Sequence, residues 1–168
     1  MIIITGGAGF IGSNLIKKLN KRNENKIIIV DDLNHFNKIK NLSNLDFYDY
    51  IDIKEFYNNV STFKKDIKAI FHQGACADTT VTDIKYVMKL NFEFSKLLLN
   101  LASKNKCPFI YASSASVYGN GDTGFEEIRE NENPLNFYAF SKFMFDQHIR
   151  QKLENTKHQI VGLRYFNV

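Results

Sequence analysis

The stretch TGGAGFIG (5–12) constrains the fold of this chain more than any other. It stands between a short apolar run, IIIT (2–5), and a segment in which Phe10, Ile11, Leu15, Ile16 and Leu19 recur at helical spacing. Gly7, Gly9 and Gly12 fit G-x-G-x-x-G, and Gly6, Gly9 and Gly12 fit G-x-x-G-x-x-G. Glycines at such spacing let the backbone turn sharply from strand to helix and come close to a pyrophosphate. The unpaired N–H groups and positive dipole end of the helix then face that anion.

The rest of the chain repeats the alternation that this turn begins. Apolar runs predict strands at 26–32, 47–53, 67–72, 108–114 and 159–166. Helical spacing appears at 10–20, 54–60, 82–104 and 137–154, and residues 34–48 and 119–134 read as loops. The strands are continuous apolar runs rather than alternating ones, as expected where helices cover both faces of a sheet. The expected fold class is therefore α/β, a doubly wound parallel sheet of the Rossmann type, in a single domain over 1–168. Pro108 and Pro134 fall at a strand start and in a loop, where they break nothing.

Composition narrows the function classes. The chain carries a net charge of +4, but its lysines and arginines are scattered among acids, which argues against nucleic acid as a partner. No run of apolar residues is long enough to span a membrane. MIIITGGAGF lacks a basic region and a cleavage site, so it reads as a strand rather than a signal peptide. Cys76 and Cys107 suggest neither a disulfide framework nor a metal site, and a reducing, cytoplasmic setting is expected.

Two further groups carry chemistry. Asp31 lies 19 residues after Gly12, at the end of the second strand, where a carboxylate meets the ribose hydroxyls of a dinucleotide. Asp31 on a 2′-hydroxyl favours NAD, whereas Lys38, seven residues on, would answer a 2′-phosphate; these residues alone leave NAD and NADP both open. HQGACA (72–77) follows the fourth strand, and its small residues would let a cofactor lie across the sheet edge. In YAFSK, Tyr138 and Lys142 fall at i and i+4, on one helix face. A free tyrosine, with a pKa of about 10, is a poor base at neutral pH, and a neighbouring cation favours its phenolate. Such a pair can take a hydroxyl proton while hydride leaves the same carbon. Ser113 and Ser114 end the fifth strand, where a hydroxyl could hold the substrate oxygen.

With these motifs assembled, the chain resembles the extended short-chain dehydrogenase/reductases, and among them the branch that epimerises ADP-heptose. The stretches that carry the resemblance are MIIITGGAGFIGSN, DDLN with Lys38, FHQGAC followed by TT, YASSASVYG, NPLNFYAFSKFMFDQHIRQ and IVGLRYFNV. The resemblance implies that Tyr138 is the acid/base, Lys142 its partner and Ser114 a hydroxyl donor to substrate. It implies a cofactor lined by Gly6, Gly9, Phe10, Ile11, Gly12, Asp31, Asp32, Lys38, Gln73, Gly74, Ala75, Cys76, Ala77, Lys142 and Val168. Asn167 would face substrate, and NADP becomes the favoured dinucleotide. Ile53 stands where such proteins tend to place a lysine, and Leu90 near an asparagine position, with Asn91 beside it. The implied reaction is inversion at C6″ of ADP-D-glycero-D-manno-heptose through transient oxidation, in lipopolysaccharide core synthesis, by a homo-oligomer. Ala115 and Ser116 replace the Asp-Glu pair of the related dehydratases, which argues against elimination of water. Two alternatives stay open: a UDP-hexose 4-epimerase, and a cofactor-binding fragment without catalysis. Proteins of this kind run roughly twice this length, so the substrate-binding lobe is expected to lie outside these 168 residues.

Overall fold

Successive side chains of a strand point to opposite sides of a sheet, and here both sides are greasy. In the computed structural model, which describes residues 1–63, 66–78 and 81–168, β1 (Ile2–Thr5) and β2 (Ile27–Asp31) are buried at every position. Ile3, Ile28 and Val30 join one core, and Ile2, Ile4, Ile27 and Ile29 join another on the opposite face. The remaining strands are β3 (Asp49–Asp52), β4 (Ala69–His72), β5 (Phe109–Ser114) and β6 (Ile160–Tyr165). All pair in parallel, in the order β3-β2-β1-β4-β5-β6. The order runs one way from β1 and the other way from β4. The loops leaving these two strands therefore diverge and open a crevice at the sheet's C-terminal rim.

The helices α1 (Phe10–Asn20) and α2 (Phe36–Leu42) bring Ile16 and Leu42 to one face. On the other face α3 (Ile53–Asn59), α5 (Phe94–Asn105) and α6 (Phe137–Leu153) supply Phe56, Phe94, Leu98, Phe145 and Ile149. The expected helix over 82–104 is present as α4 (Ile84–Met88) and α5, joined by a π-helical turn over Lys89–Glu93. The Thr79–Thr80 pair of the sequence motif lies outside the described residues.

One expectation is corrected. Residues 34–48 are not simply loop, because α2 occupies Phe36–Leu42. This helix turns Lys38 and Asn41 toward the protein, to Asp31, Asp32 and the Ala8 carbonyl, and leaves Phe36 and Ile39 in solvent. Its hydrophobic pattern is thus reversed, and periodicity does not register it.

Candidate active site

The glycine turn is fixed by close backbone contact. Gly6 has φ +67°, and a Cβ there would stand 2.6 Å from the Gly74 nitrogen. A Cβ on Gly12 would clash with the Gly6 carbonyl and stand 2.7 Å from the Gly7 Cα. The Gly6 N–H donates to the Val30 carbonyl at 2.8 Å, which ties the turn to β2. Helix α1 starts at Gly9 without a side-chain cap and without an acid in its first turn. Its first N–H groups thus keep their capacity for an anion.

Most of the expected cofactor residues converge. Gly6, Gly9, Phe10, Ile11, Gly12, Gln73 and Val168 surround the turn. A larger adjoining cleft takes in Asp31, Asp32, Lys38 and residues 73–77, with Ile53 and Leu90 also on its wall. Asp31 is buried, and accepts from the Ala8 N–H at 2.8 Å and from Lys38 Nζ at 2.9 Å. Lys38 also meets the Asp32 carboxylate and donates to the Asp32 carbonyl at 2.9 Å. Burial opposes the lysine's charge, but the two aspartates prevail and raise its pKa above 10.5. Gln73 Oε1 is buried at the junction of the two spaces and has no hydrogen-bond partner among the described residues. A side-chain-free turn, an open helix end, a carboxylate pair and an unsatisfied amide oxygen together fit a dinucleotide.

The tyrosine–lysine pair sits on α6. Lys142 is buried, and its Nζ donates to the Ala112 carbonyl at 2.7 Å and lies 5.9 Å from the centre of the Tyr138 ring. Burial lowers the Lys142 pKa to about 8, against the opposing charge of Asp146. The two strand-end serines divide. Ser113 Oγ donates to Asp146 at 2.8 Å, on the α6 side of β5. Ser114 Oγ accepts from the Ser116 N–H at 3.1 Å and from Ser116 Oγ at 2.8 Å, so its own proton is left to offer. Asn167 is exposed just beyond β6 and lines neither space.

The sequence marked Asn91 only as the neighbour of Leu90, and the structure shows what it joins. Asn91, in the π-helical turn, accepts from the Cys76 N–H at 2.8 Å and donates to the Cys76 carbonyl and to Ser141 Oγ, both at 3.0 Å. Ser141 Oγ in turn donates to the Tyr138 carbonyl at 2.7 Å. One amide thus holds the cofactor-side loop and the helix of Tyr138 and Lys142. The available signal was a polar residue on the apolar face that includes Val87, Phe94 and Leu98. His72 lies below, between Thr5 and Ser95, and burial followed by the Lys142 charge lowers its pKa to about 3.

An open glycine turn at a topological switch point, in a chain whose α6 carries a half-buried Tyr138 and a buried Lys142, fits a dinucleotide-dependent class of protein. Residues 2–168 match the NAD dependent epimerase/dehydratase family, and the chain belongs to it. The chain is 51% identical over 173 residues to the ADP-L-glycero-D-manno-heptose-6-epimerase of Brachyspira hyodysenteriae, covering 100% of this chain and 54% of that protein. Among solved structures it resembles the Helicobacter pylori ADP-L-glycero-D-manno-heptose-6-epimerase, at 33% identity and TM-score 0.79, over 99% of this chain and 55% of that one. It also resembles a UDP-N-acetylglucosamine 4-epimerase from Methanobrevibacter ruminantium, solved with UDP-N-acetylmuramic acid. That match has 30% identity and TM-score 0.83, over 99% and 54% of the two chains. The chain thus spans about half the length of the relatives it matches.

Proposed function

We propose that this chain is the dinucleotide-binding and acid/base half of an epimerase that inverts C6″ of ADP-D-glycero-D-manno-heptose, a step in lipopolysaccharide core synthesis. Identity of 51% across the whole chain to an enzyme of that name supports the substrate. The observation that carries the chemistry is Lys142, whose buried Nζ is fixed to the Ala112 carbonyl 5.9 Å from the centre of the Tyr138 ring.

The residues divide the work as follows. Tyr138, favoured as a phenolate by the Lys142 charge, takes the proton of the substrate hydroxyl and becomes neutral as hydride leaves the same carbon and the substrate oxygen becomes a carbonyl. Ser114 offers its free proton to the substrate oxygen and orients it. When bound, the dinucleotide supplies a hydride acceptor that later returns the hydride to the other face of the same carbon. The turn at 6–12 and the loop at 73–77 orient it, with Val168 also lining the space at the turn. NADP is the favoured form, because Lys38 stands at the carboxylate pair that meets the adenosine ribose and can exchange an aspartate for a 2′-phosphate.

The likeness to a UDP-N-acetylglucosamine 4-epimerase supports a second reading, a UDP-hexose 4-epimerase. The test is incubation with ADP-D-glycero-D-manno-heptose in D₂O, with C6″ configuration and deuterium read by NMR, and UDP-hexoses run in parallel. Inversion without solvent deuterium at C6″ supports the first reading. Turnover of UDP-hexoses alone replaces it with the second. Dinucleotide binding without turnover of either leaves a cofactor-binding fragment.

A further inference from the structure

The buried chain of hydroxyls around His72 has a fixed proton order. Thr5 and His72 end the neighbouring strands β1 and β4 and are paired in register. Thr5, His72 and Ser95 are all buried. Ser95 Oγ donates to the Asn91 carbonyl at 2.7 Å, and also lies 2.7 Å from His72 Nε2. A hydroxyl has one proton. With that proton on the Asn91 carbonyl, Nε2 must be the donor to Ser95. Nδ1 is then a bare lone pair, and Thr5 Oγ1, 2.6 Å away, donates to it. The Thr5 oxygen keeps its own lone pairs, and one accepts the Gly74 N–H at 3.2 Å. The opposite tautomer would leave Ser95 Oγ facing the Asn91 carbonyl at 2.7 Å with no proton between them.

The end of this chain matters for the cleft. Gly74 is the residue against which Gly6 is pressed. Its neighbour Gln73 carries the unsatisfied oxygen that both spaces share. We propose that His72, as the neutral Nε2–H imidazole, and Thr5 are positioning residues that lock the 73–77 loop against the glycine turn and so set dinucleotide affinity. Neither touches the reacting atoms; both act through Gly74. The proposal rests on reading the cleft as a dinucleotide site.

Two measurements on the 168-residue chain test it. The first is the His72 tautomer at pH 7 without ligand, read from the ring nitrogen and carbon shifts of ¹⁵N/¹³C-histidine protein, with a His72→Gln variant to assign the signal. An Nε2–H ring is expected, and an Nδ1–H ring overturns the proposal. The second is dinucleotide titration of Thr5→Val and Thr5→Ser, alongside ligand-free melting. Thr5→Val leaves the Gly74 N–H unpaired and should weaken binding about tenfold. Thr5→Ser keeps the oxygen and should bind within about twofold of wild type. Wild-type affinity in Thr5→Val overturns the proposal, and so does equal weakening in Thr5→Ser. A purely structural role would lower the melting midpoint without changing affinity. If Thr5→Val does not fold, the tautomer and Thr5→Ser decide. Wild-type chain that binds no dinucleotide overturns both the proposal and the cofactor reading. A wrong tautomer in chain that still binds overturns the proposal alone.

Discussion

Gly12 leaves no room for a methyl group, since a Cβ there would run into the Gly6 carbonyl and the Gly7 Cα, both of them backbone. Backbone cannot swing aside as a flexible side chain can, so Gly12→Ala must move the turn or the start of α1. The expected cost is about 2 kcal/mol of stability in a urea titration, together with loss of measurable dinucleotide binding. Unchanged binding in that variant would show that the turn does not approach the ligand. The placement of residues such as Gly12 and Asp31 was legible in the sequence because it follows from local spacing along one strand–turn–helix unit. Asn91 and His72 were not, because their partners lie far along the chain. Asn91 meets Ser141 and His72 meets Thr5, and only the folded sheet and helices bring them together. Ser113 and Ser114 were located as a pair. Which of them faces the α6 carboxylate and which keeps a free proton came from the contacts alone.

At the scale of elements, all six strands and most helices were readable from apolar runs and helical spacing, and α2 was not, because its polar side faces inward. The loop over 119–134 illustrates a different limit. Its sequence is rich in glycine, asparagine and acids and reads as a loop, yet the Glu132 side chain is fully buried. Its carboxylate gathers Arg129 of the same loop at 2.7 Å, Arg150 of α6 at 2.9 Å and Arg164 of β6. The 119–134 loop, the helix α6 that carries Tyr138, and β6 thus meet at one anion. Burial alone would raise the Glu132 pKa, but hydrogen bonds from Arg150, Arg129 and Arg164 prevail and lower it from 4.5 to about 2. A depressed carboxyl in the folded state contributes stability above its unfolded pKa, and that part is lost as pH falls through the folded one. Glu132→Gln should therefore cost about 2 kcal/mol at pH 7. The gap from wild type should narrow between pH 4.5 and 2. Urea titrations of the two proteins across that window measure it, and a gap that stays constant with pH would rule out the carboxylate charge as its source.

At the scale of the whole molecule, one device explains why the site is where it is. A parallel sheet sends every strand's C-terminal end to the same rim, and the reversal of order between β1 and β4 opens that rim into a crevice. The glycine turn follows β1, Asp31 ends β2, the 73–77 loop follows β4, Ser114 ends β5 and Val168 lies just past β6. On the proposed reading, elements from across the chain would share one ligand, and its binding energy would be spread over the fold rather than held in one loop. The edge beyond β5 has the least support of its own, since Leu163, Phe166 and Val168 are exposed. Yet Val168 is among the residues that line the space at the glycine turn, so a bound dinucleotide should steady that edge as well. A ligand that binds only the folded state stabilises it by about 2.7 kcal/mol at a hundred times its dissociation constant. For a chain of this size that corresponds to an upward shift in melting midpoint of roughly 5–10 °C. Thermal unfolding followed by circular dichroism with increasing NADP, and separately NAD, measures the shift. A midpoint that rises with the logarithm of concentration for one of them identifies the form the chain takes. A folded chain whose midpoint moves with neither would mean that these 168 residues do not close the site by themselves.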